Sequence, residues 1–434
     1  MHPKPIVADL KNRIFEVDDM TAAGMKAGKF YPLKREELIP LPFASELFAL
    51  KDRIAVGFAG AEQCSAPASI VYFNGQRCFP VAAFVSPGYT TTFSAAYREE
   101  KSARLLPLFS YAAVSWYKGK FYAAATRVER ERRQDLRLMN TALMHRNAAR
   151  FKKLYPHNRL IRHLAGCART YGCPAATNFF LQRYECPLPA SPYCNSACIG
   201  CISVKHSSSC PEVQPRIRFI PKPQEIAEVA LHHIRAVEKP VVSFGQGCEG
   251  EPLIVADVLE QAMGLIRKET KKGVINLNTN ASRPDKILRL RKAGLDSMRV
   301  SVNSARKKFY DFYYNPKGYE FGDVISSIKI MKRLGGFVSI NYLVMPGFTD
   351  QKEEAVALFD FIRKTKIDMI QWRNLNYDPI DYFRKMNINV GADQCVRPGK
   401  HIGLPGHIGM RQLIEQTKKR FPKLRHGYFN PRDI

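Results

Sequence analysis

The chain has 434 residues, of which 45% are hydrophobic and 11% aromatic, and this composition is typical of a folded globular protein. No apolar run approaches the roughly 18 residues needed to span a bilayer, and the first twenty residues lack the apolar stretch of a signal peptide. These observations argue against a transmembrane or secreted protein, and we expect a cytoplasmic one. The formal net charge is +28. Such an excess favours polyanionic partners, nucleic acid first among them, with a generally basic surface as the alternative.

The first part of the chain is predicted to be rich in β-strands. Residues 1–45 show no readable pattern, but short β-branched and aromatic runs between about 52 and 130 predict an antiparallel β-domain. The sequences NGQ at 74–76 and KGK at 118–120 predict hairpin turns between paired runs. A helix is predicted over 134–155 from its hydrophobic spacing.

The predicted helix and its flanks carry a dense run of cations. Such a run is usually a solvated helix face, but its density here favours a surface that contacts phosphates. We therefore predict a basic, β-rich accessory domain with a helix over residues 1–165. The cations are Arg127, Arg130, Arg132, Arg133, Arg137, Arg146, Arg150, Lys152, Lys153, Arg159 and Arg162.

From about residue 177 the chain alternates between predicted strands and predicted helices. Six strands alternating with five helices predict a parallel sheet with crossover helices, as an open doubly wound sheet or a curved partial barrel. In both architectures, ligands bind at the carboxyl ends of the strands. The strands are predicted at 178–185, 241–247, 274–280, 297–304, 337–347 and 368–376. The helices are predicted at 223–234, 256–270, 284–294, 323–335 and 353–365.

The cysteines are concentrated in the middle of the chain, where seven of the eleven lie between residues 167 and 210. In a reducing compartment, metal or catalytic use is more probable than a disulfide framework. Cys194, Cys198 and Cys201 are spaced C-x3-C-x2-C in the loop after the first predicted strand of the α/β region. Three thiolates in one loop can hold three irons of a [4Fe–4S] cubane and leave the fourth iron open. The alternatives are a zinc site completed by His206 or Cys210, and chance core cysteines.

With this loop in place, residues 177–380 resemble the radical S-adenosylmethionine (SAM) superfamily. The resemblance implies a partial (β/α)6 TIM-like barrel, here within residues 166–434 with a C-terminal extension. It also implies SAM and a [4Fe–4S] cluster, with Cys194, Cys198 and Cys201 as the metal ligands.

The sequence SFGQGCEGEPL at the end of the second strand resembles the family's GGE motif. The resemblance implies that Gly250 and Glu251 contact the amino group of SAM. A carboxylate suits an ammonium group, and glycine allows a close approach of the backbone.

The third and fourth strand ends are similar to family segments that contact the SAM ribose and carboxylate. Ordinary turn chemistry is the alternative for each residue. Farther along, Arg373 and Asn374 are candidates for the mouth of the active site. The candidate SAM-binding residues on the strand ends are Asn278, Thr279, Ser301 and Asn303.

The resemblance implies an enzyme that cleaves SAM reductively and forms a 5′-deoxyadenosyl radical that modifies an unactivated carbon. A low-potential electron donor such as flavodoxin or ferredoxin is expected, and no membrane partner. RNA is the predicted substrate because the accessory domain carries the basic run. The alternatives are a peptide or protein, an acidic small metabolite, and a non-catalytic nucleic-acid binder that carries zinc or a cluster.

Two cysteines are candidates for catalytic roles. Cys248, within GQGCEGEP, can donate hydrogen to a substrate radical, with simple packing as the alternative. Cys395, within GADQCVRPG, follows a Gly-x-Asp step similar to that of radical SAM RNA adenine methyltransferases. The Gly-Gln-Leu that follows the cysteine in that family is absent here, so no methyl transfer is assigned.

The remaining mid-chain cysteines raise the prediction of a second Fe–S cluster. Buried free cysteines are the alternative. The residues concerned are Cys167, Cys173, Cys186 and Cys210.

Overall fold

The computed structural model describes residues 2–59, 66–208, 210–386 and 406–434. Within these ranges an antiparallel β-region is followed by three helices and a curled parallel sheet. The strands of the first region are β1 (Ile6–Ala8), β2 (Ile14–Glu16), β3 (Met20–Lys26), β4 (Lys29–Pro32), β5 (Ile39–Pro40), β6 (Glu46–Ala49), β7 (Arg53–Ala59), β8 (Pro67–Ile70), β9 (Tyr72–Phe73), β10 (Gln76–Arg77), β11 (Phe79–Phe84), β12 (Tyr89–Thr91), β13 (Ser94–Ala95), β14 (Tyr97–Glu99), β15 (Ala112–Tyr117), β16 (Lys120–Ala123) and β17 (Ala125–Arg127).

The antiparallel region confirms the predicted β-domain and both predicted hairpins. Asn74 and Gly75 have φ values of 50° and 75°, and Lys118 and Gly119 have values of 46° and 73°. Two consecutive left-handed residues form the tight turn that matches the twist of a hairpin. The strands β1 to β5 lie in the stretch where the sequence showed no pattern; all but β3 have four residues or fewer, and β1 is buried throughout.

Three helices connect the two sheets: α1 (Thr141–Leu154), α2 (Arg159–Thr170) and α3 (Pro174–Phe180). The predicted helix at 134–155 is confirmed over α1. The strand predicted at 178–185 is wrong, because Asn178–Phe180 completes α3 and the strand begins only at Glu185. Pro174 occupies the first turn of α3, where its missing N–H costs no hydrogen bond, so the helix can start there.

The second region is a seven-stranded parallel sheet in sequential order, with helices on its outer side. The six predicted strands have counterparts in this sheet, although the first is shorter and later than predicted, and a further strand follows near the end of the chain. Its strands are β18 (Glu185–Pro187), β19 (Val241–Phe244), β20 (Val274–Thr279), β21 (Ser297–Val302), β22 (Phe337–Val344), β23 (Met369–Asn374) and β24 (Arg425–Gly427). Its helices are α4 (Pro223–Ala236), α5 (Ala256–Glu269), α6 (Pro284–Lys292), α7 (Lys307–Tyr314), α8 (Phe321–Arg333), α9 (Lys352–Thr365), α10 (Pro379–Lys385) and α11 (Met410–Arg420).

The curled sheet forms a half-barrel with two chemically different faces. Alternate residues such as Met298 and Val300 are buried in the hydrophobic core shared with the helices. The intervening residues form a hydrogen-bonded polar network, in which Asn276 accepts a hydrogen bond from Ser297 at 2.7 Å. Because neighbouring side chains on a strand point to opposite faces, one face packs against the helices and the other can bind a polar ligand.

Helices α1, α2 and α3 share one hydrophobic core with the helices of the half-barrel. The antiparallel region also contacts the end of β23, where the Asn374 side chain accepts a hydrogen bond from Thr91 of β12 and donates one to Tyr89. Asn374 therefore joins the two sheets. The division of the chain at residue 165 stays a prediction. No helix in the described ranges is long and apolar enough to cross a bilayer.

Candidate active site

The cysteine loop follows β18 at the carboxyl edge of the half-barrel. Cys194, Cys198 and Cys201 are all partly exposed. Burial, and then the neighbouring Cys201 and Cys194 thiols, raises the pKa of Cys198. The three thiols are thus near enough to oppose one another's ionisation, and positively charged metal would relieve that repulsion. Near this group, Arg216 lies 3.5 Å from the Cys201 sulfur.

The loop is held from one side by the end of α7. The backbone N–H groups of Ala197 and Ile199 donate to the carbonyls of Tyr314 and Tyr313, at 3.0 and 2.9 Å. At Gly200, an added Cβ would lie 2.8 Å from the Tyr313 hydroxyl. The tyrosines of α7 were not predicted to contribute to the site. They are more than 110 residues away from the loop in sequence, so only the fold brings them to it.

A second support comes from Asn280, at the end of β20. Its side-chain amide donates to Asn195 Oδ1 at 2.8 Å and to Ser196 Oγ at 3.0 Å. Ser196 in turn lies 2.8 Å from the hydroxyl of Tyr319. These contacts fix the residues between Cys194 and Cys198, and Asn280 is a positioning residue that the sequence analysis missed.

The glycine-rich turn after β19 lies directly on the cysteine loop. Gly250 donates its N–H to the Ser191 carbonyl at 2.6 Å, and a Cβ added at Gly250 would lie 1.9 Å from the Tyr193 carbonyl oxygen. Only glycine fits such a backbone-to-backbone approach. Glu249, also missed from the sequence, accepts hydrogen bonds from the N–H groups of Ala190, Ser191 and Gln246.

Glu251 is a buried carboxylate at the junction of the turn and β20. It accepts hydrogen bonds from the backbone of Asn280 at 2.7 Å and Leu253 at 3.0 Å, and from the hydroxyl of Thr279. Despite these donors, burial raises the pKa of Glu251 to about 7. A cation bound nearby would favour the ionised form, which is the role expected of a SAM ammonium group.

The strand-end candidates occupy different positions at this edge. Asn278 donates to the Gly245 carbonyl at 3.0 Å and so joins β20 to the glycine-rich turn. Thr279 points to Glu251, as described above. Ser301 lies near the end of β21 and is partly exposed, whereas Asn303 is buried and donates to the Phe309 carbonyl at 3.1 Å. The fold therefore brings all four to one edge, and their contacts with SAM remain predictions.

The polar face of the half-barrel contains two arginines. Burial, and then the neighbouring Arg373, lowers the pKa of Arg299 to about 10. Arg299 reaches Gln371 at 3.3 Å, and its Nε has no hydrogen-bond partner in the described part of the chain. Arg373 donates to the Tyr428 carbonyl at 3.1 Å. Each guanidinium group disfavours the positive charge of the other, and a bound anion would relieve this repulsion. The pair therefore indicates an anion-binding site.

The residues present fit both groups that the resemblance implies. Three thiols in one supported loop are the donor set of an Fe–S cluster with an open iron. Gly250 provides the close backbone approach beside them, and Glu251 provides a buried carboxylate. The zinc alternative is weaker at His206, because its Nε2 is engaged by the carbonyl oxygen of Cys201 at 2.7 Å.

The other predicted cysteine sites have mixed outcomes. Cys248 is buried and lies against His163 and Cys167, at 3.4 Å from the His163 ring nitrogen. Cys395 lies outside the described residues. The four cysteines predicted to hold a second cluster do not form one metal-binding group among the described residues, where only Cys167 belongs to such a group.

Comparison with known proteins agrees with this geometry. Residues 188–359 match the family model of the radical SAM superfamily, and this match includes the cysteine loop, Gly250, Glu251 and all four strand-end candidates. Residues 188–359 therefore form a radical SAM domain. A domain of this family implies an Fe–S cluster and SAM as its cofactors.

Among characterised radical SAM proteins, the chain is similar to the mitochondrial GTP 3′,8-cyclase of Arabidopsis thaliana, with 26% identity over 221 residues. That match covers 50% of each protein, so the chain spans about half the length of this relative. Methylornithine synthase matches with a TM-score of 0.37 and 15% identity, over 61% of this chain and 72% of the other. Streptococcus suis SuiB, bound to its precursor peptide SuiA, matches with a TM-score of 0.33 and 18% identity, over 50% and 43%.

Proposed function

We propose that this protein is a radical SAM enzyme that acts on an anionic substrate, with RNA as the substrate class. The observation that carries the proposal is the contact of Gly250 with the backbone of the cysteine loop, which joins the two motifs into one site. When bound, the cluster and SAM supply reductive cleavage of the sulfonium and a 5′-deoxyadenosyl radical that removes hydrogen from an unactivated carbon.

The protein's own residues would hold and align these groups. Cys194, Cys198 and Cys201 would hold three irons, while Asn280 and the tyrosines of α7 keep the loop in place. Glu251 would face the ammonium group of SAM. The polar strand ends would orient SAM and substrate, and the enclosed half-barrel would limit access of water to reactive species.

The polar face of the half-barrel supports an anionic substrate. Arg299 and Arg373 lie together there. Burial and then Arg373 lower the pKa of Arg299, and the carboxylate of Glu185 partly offsets this effect. An incoming phosphate or carboxylate would be stabilised by both guanidinium groups. This feature fits RNA and an acidic small metabolite equally well.

The surface of α1 favours RNA over a small metabolite. Arg146, Arg150 and Lys153 are exposed on this helix, which packs on the half-barrel. The Arabidopsis relative is named for GTP, so a nucleotide substrate is consistent with that similarity. We further propose flavodoxin or ferredoxin as the electron donor, because reductive cleavage requires a low-potential electron.

The first experiment tests the cofactor assignment with anaerobically reconstituted, dithionite-reduced protein. We expect iron and sulfide for a cubane, an electron paramagnetic resonance signal that shifts when SAM is added, and release of 5′-deoxyadenosine. Cys198→Ala should lose all three, whereas Cys78→Ala, which alters a buried cysteine of the antiparallel region, should keep them. Retention of a SAM-responsive cluster in Cys198→Ala would contradict the proposal.

The second experiment tests the substrate class. RNA incubated anaerobically with the enzyme, SAM and reductant should gain a modified nucleoside detectable by mass spectrometry. The double variant Arg146→Gln/Arg150→Gln should lower the yield on RNA, and the matched Lys418→Gln/Lys419→Gln variant on α11 should not. RNA left unmodified by an enzyme that still cleaves SAM would contradict RNA as the substrate class, and modification of an acidic small metabolite in its place would favour the alternative.

A further inference from the structure

A second group of metal-binding side chains lies outside the cysteine loop. Among the described residues, His163, Cys167 and Cys248 bring one ligand atom each to within 4.8 Å of one another. The Nε2 atom of His163 is 3.4 Å from the sulfur of Cys167 and 3.4 Å from the sulfur of Cys248. The loop cysteines Cys194, Cys198 and Cys201 do not belong to this group.

The local structure explains why these three side chains meet. His163 and Cys167 are four residues apart on α2, so they lie on the same face of the helix. Cys248 comes from the glycine-rich turn after β19, which α2 packs against. Both cysteines are buried, whereas His163 is partly exposed.

The distances fit one metal ion better than a cluster. Zinc binds histidine nitrogen at about 2.0–2.1 Å and cysteine sulfur at about 2.3 Å, so a tetrahedral site places these atoms about 3.6 Å apart. Both nitrogen–sulfur distances here are 3.4 Å. In a [4Fe–4S] cluster each ligand binds a different iron, which holds the ligand atoms farther apart.

An entry path to the three side chains is also present. His163 and Cys167 line an open cavity of about 530 Å³, so an ion can reach them from solvent.

We propose that His163, Cys167 and Cys248 bind a single zinc ion as its three protein ligands. Imidazole and thiolate are the ligands that structural zinc sites use. The ion would fix α2 to the glycine-rich turn that carries Gly250 and Glu251. The ion would not contact the cysteine loop. That loop is joined to the segment around Arg216, whose guanidinium lies 3.5 Å from the Cys201 sulfur.

The test separates this site from the cluster by using the full chain with Cys194, Cys198 and Cys201 replaced by alanine. We expect about one equivalent of zinc per chain by elemental analysis after dialysis against a weak chelator. Adding His163→Gln or Cys167→Ser to this background should remove most of the zinc. Adding Cys78→Ala, at a buried cysteine in the antiparallel region, should leave it unchanged.

Cobalt provides a second measurement for variants that bind metal weakly. Co²⁺ added to the same metal-free protein should produce thiolate-to-metal charge-transfer absorption, which Cys167→Ser should lower and His163→Gln should shift. Circular dichroism would show that the variants remain folded. Absence of zinc and of the cobalt bands in the folded background protein would overturn the proposal. Iron with inorganic sulfide, lost in His163→Gln, would overturn the single-ion assignment.

Discussion

Gly250 shows how a single missing side chain permits the active site to form. Its backbone lies against Tyr193 so closely that an added Cβ would be 1.9 Å from a carbonyl oxygen. The added Cβ would clash with a backbone atom of the cysteine loop, so the clash could be relieved only if the loop moved. The glycine is therefore needed for packing between two motifs, which the local conformation alone does not reveal.

We expect Gly250→Ala to displace the cysteine loop and to lower cluster iron severalfold after anaerobic reconstitution. The matched control is Gly264→Ala in the middle of α5, where an added Cβ meets no atom within 4 Å. That control should bind iron normally and gain about 0.5–1 kcal/mol of stability from its better helix propensity. Iron binding by Gly250→Ala at the level of the control would contradict the assigned role of this contact.

His233 is a second residue whose environment sets a measurable property. It is fully buried in α4, and burial lowers its pKa to about 4. The unfolded chain, with a histidine pKa near 6.5, binds more protons than the folded protein between those values, so stability is lost as the pH falls from about 6.5 to about 4.

At pH 5 this linkage amounts to about 2 kcal/mol of the free energy of unfolding. We expect His233→Gln to reduce the fall in unfolding free energy between pH 7 and pH 5 by about that amount, measured by urea denaturation. His145→Gln, at an exposed position of α1, should leave the fall unchanged. An identical pH dependence in His233→Gln and the unmodified protein would refute the assignment.

At the scale of elements, helix α10 depends on a buried ion pair with the antiparallel sheet. Asp378 caps α10, and its carboxylate lies 3.0 Å from the Arg53 guanidinium of β7, with both side chains buried. The same carboxylate accepts hydrogen bonds from the Tyr97 hydroxyl and the Leu106 backbone. Asp378 thus caps helix α10 of the half-barrel region and also fixes this helix to the antiparallel sheet.

We expect Arg53→Met to lower the free energy of unfolding by about 3–5 kcal/mol, because it leaves the Asp378 charge buried without its partner. The double variant Arg53→Met/Asp378→Asn should recover part of that loss, since asparagine can still cap the helix. Denaturant unfolding of both variants gives the comparison. Equal losses in the two would show that the unpaired charge is not the cause.

The predicted elements of the half-barrel were confirmed where each strand and helix has its own clear pattern. The main error concerned 178–185, where aromatic residues at 179 and 180 were interpreted as a strand but complete the short helix α3. A seven-residue helix is too short to show a helical repeat. The helical conformation of α3 is instead stabilised by packing against α1 and α2 in the shared core.

At the scale of the whole molecule, the charge of +28 is distributed unevenly. Arg133, one of the cations predicted on the basic surface, is buried and donates to the Asn430 carbonyl, so it is not available to phosphate. The exposed cations on α1 and its flanks include Arg127, Arg130, Arg146, Arg150, Lys153 and Arg162.

If these cations contact RNA, binding must weaken with salt. A surface that neutralises about six phosphates loses roughly 10³-fold in affinity between 50 and 200 mM salt. We expect Arg146→Gln/Arg150→Gln to reduce the slope of log affinity against log salt by about two, as measured by fluorescence anisotropy. A slope unchanged from that of the unmodified protein would place the RNA contact elsewhere.

The sequence by itself indicated the cofactor chemistry through the family resemblance, since the motif of Cys194, Cys198 and Cys201 lies within eight residues and keeps its spacing in any fold. It also predicted the alternation of strands and helices that gives a parallel sheet, because each βα unit forms mainly from local pattern, whereas the sequential order of the strands came from the structure. Only the tertiary structure decided that Glu249 and Asn280 support the loop, that Arg299 meets Arg373, and that His163, Cys167 and Cys248 converge. Apart from the His163–Cys167 pair on α2, those contacts join residues 58 to 85 positions apart, and their distances depend on how helices and strands pack.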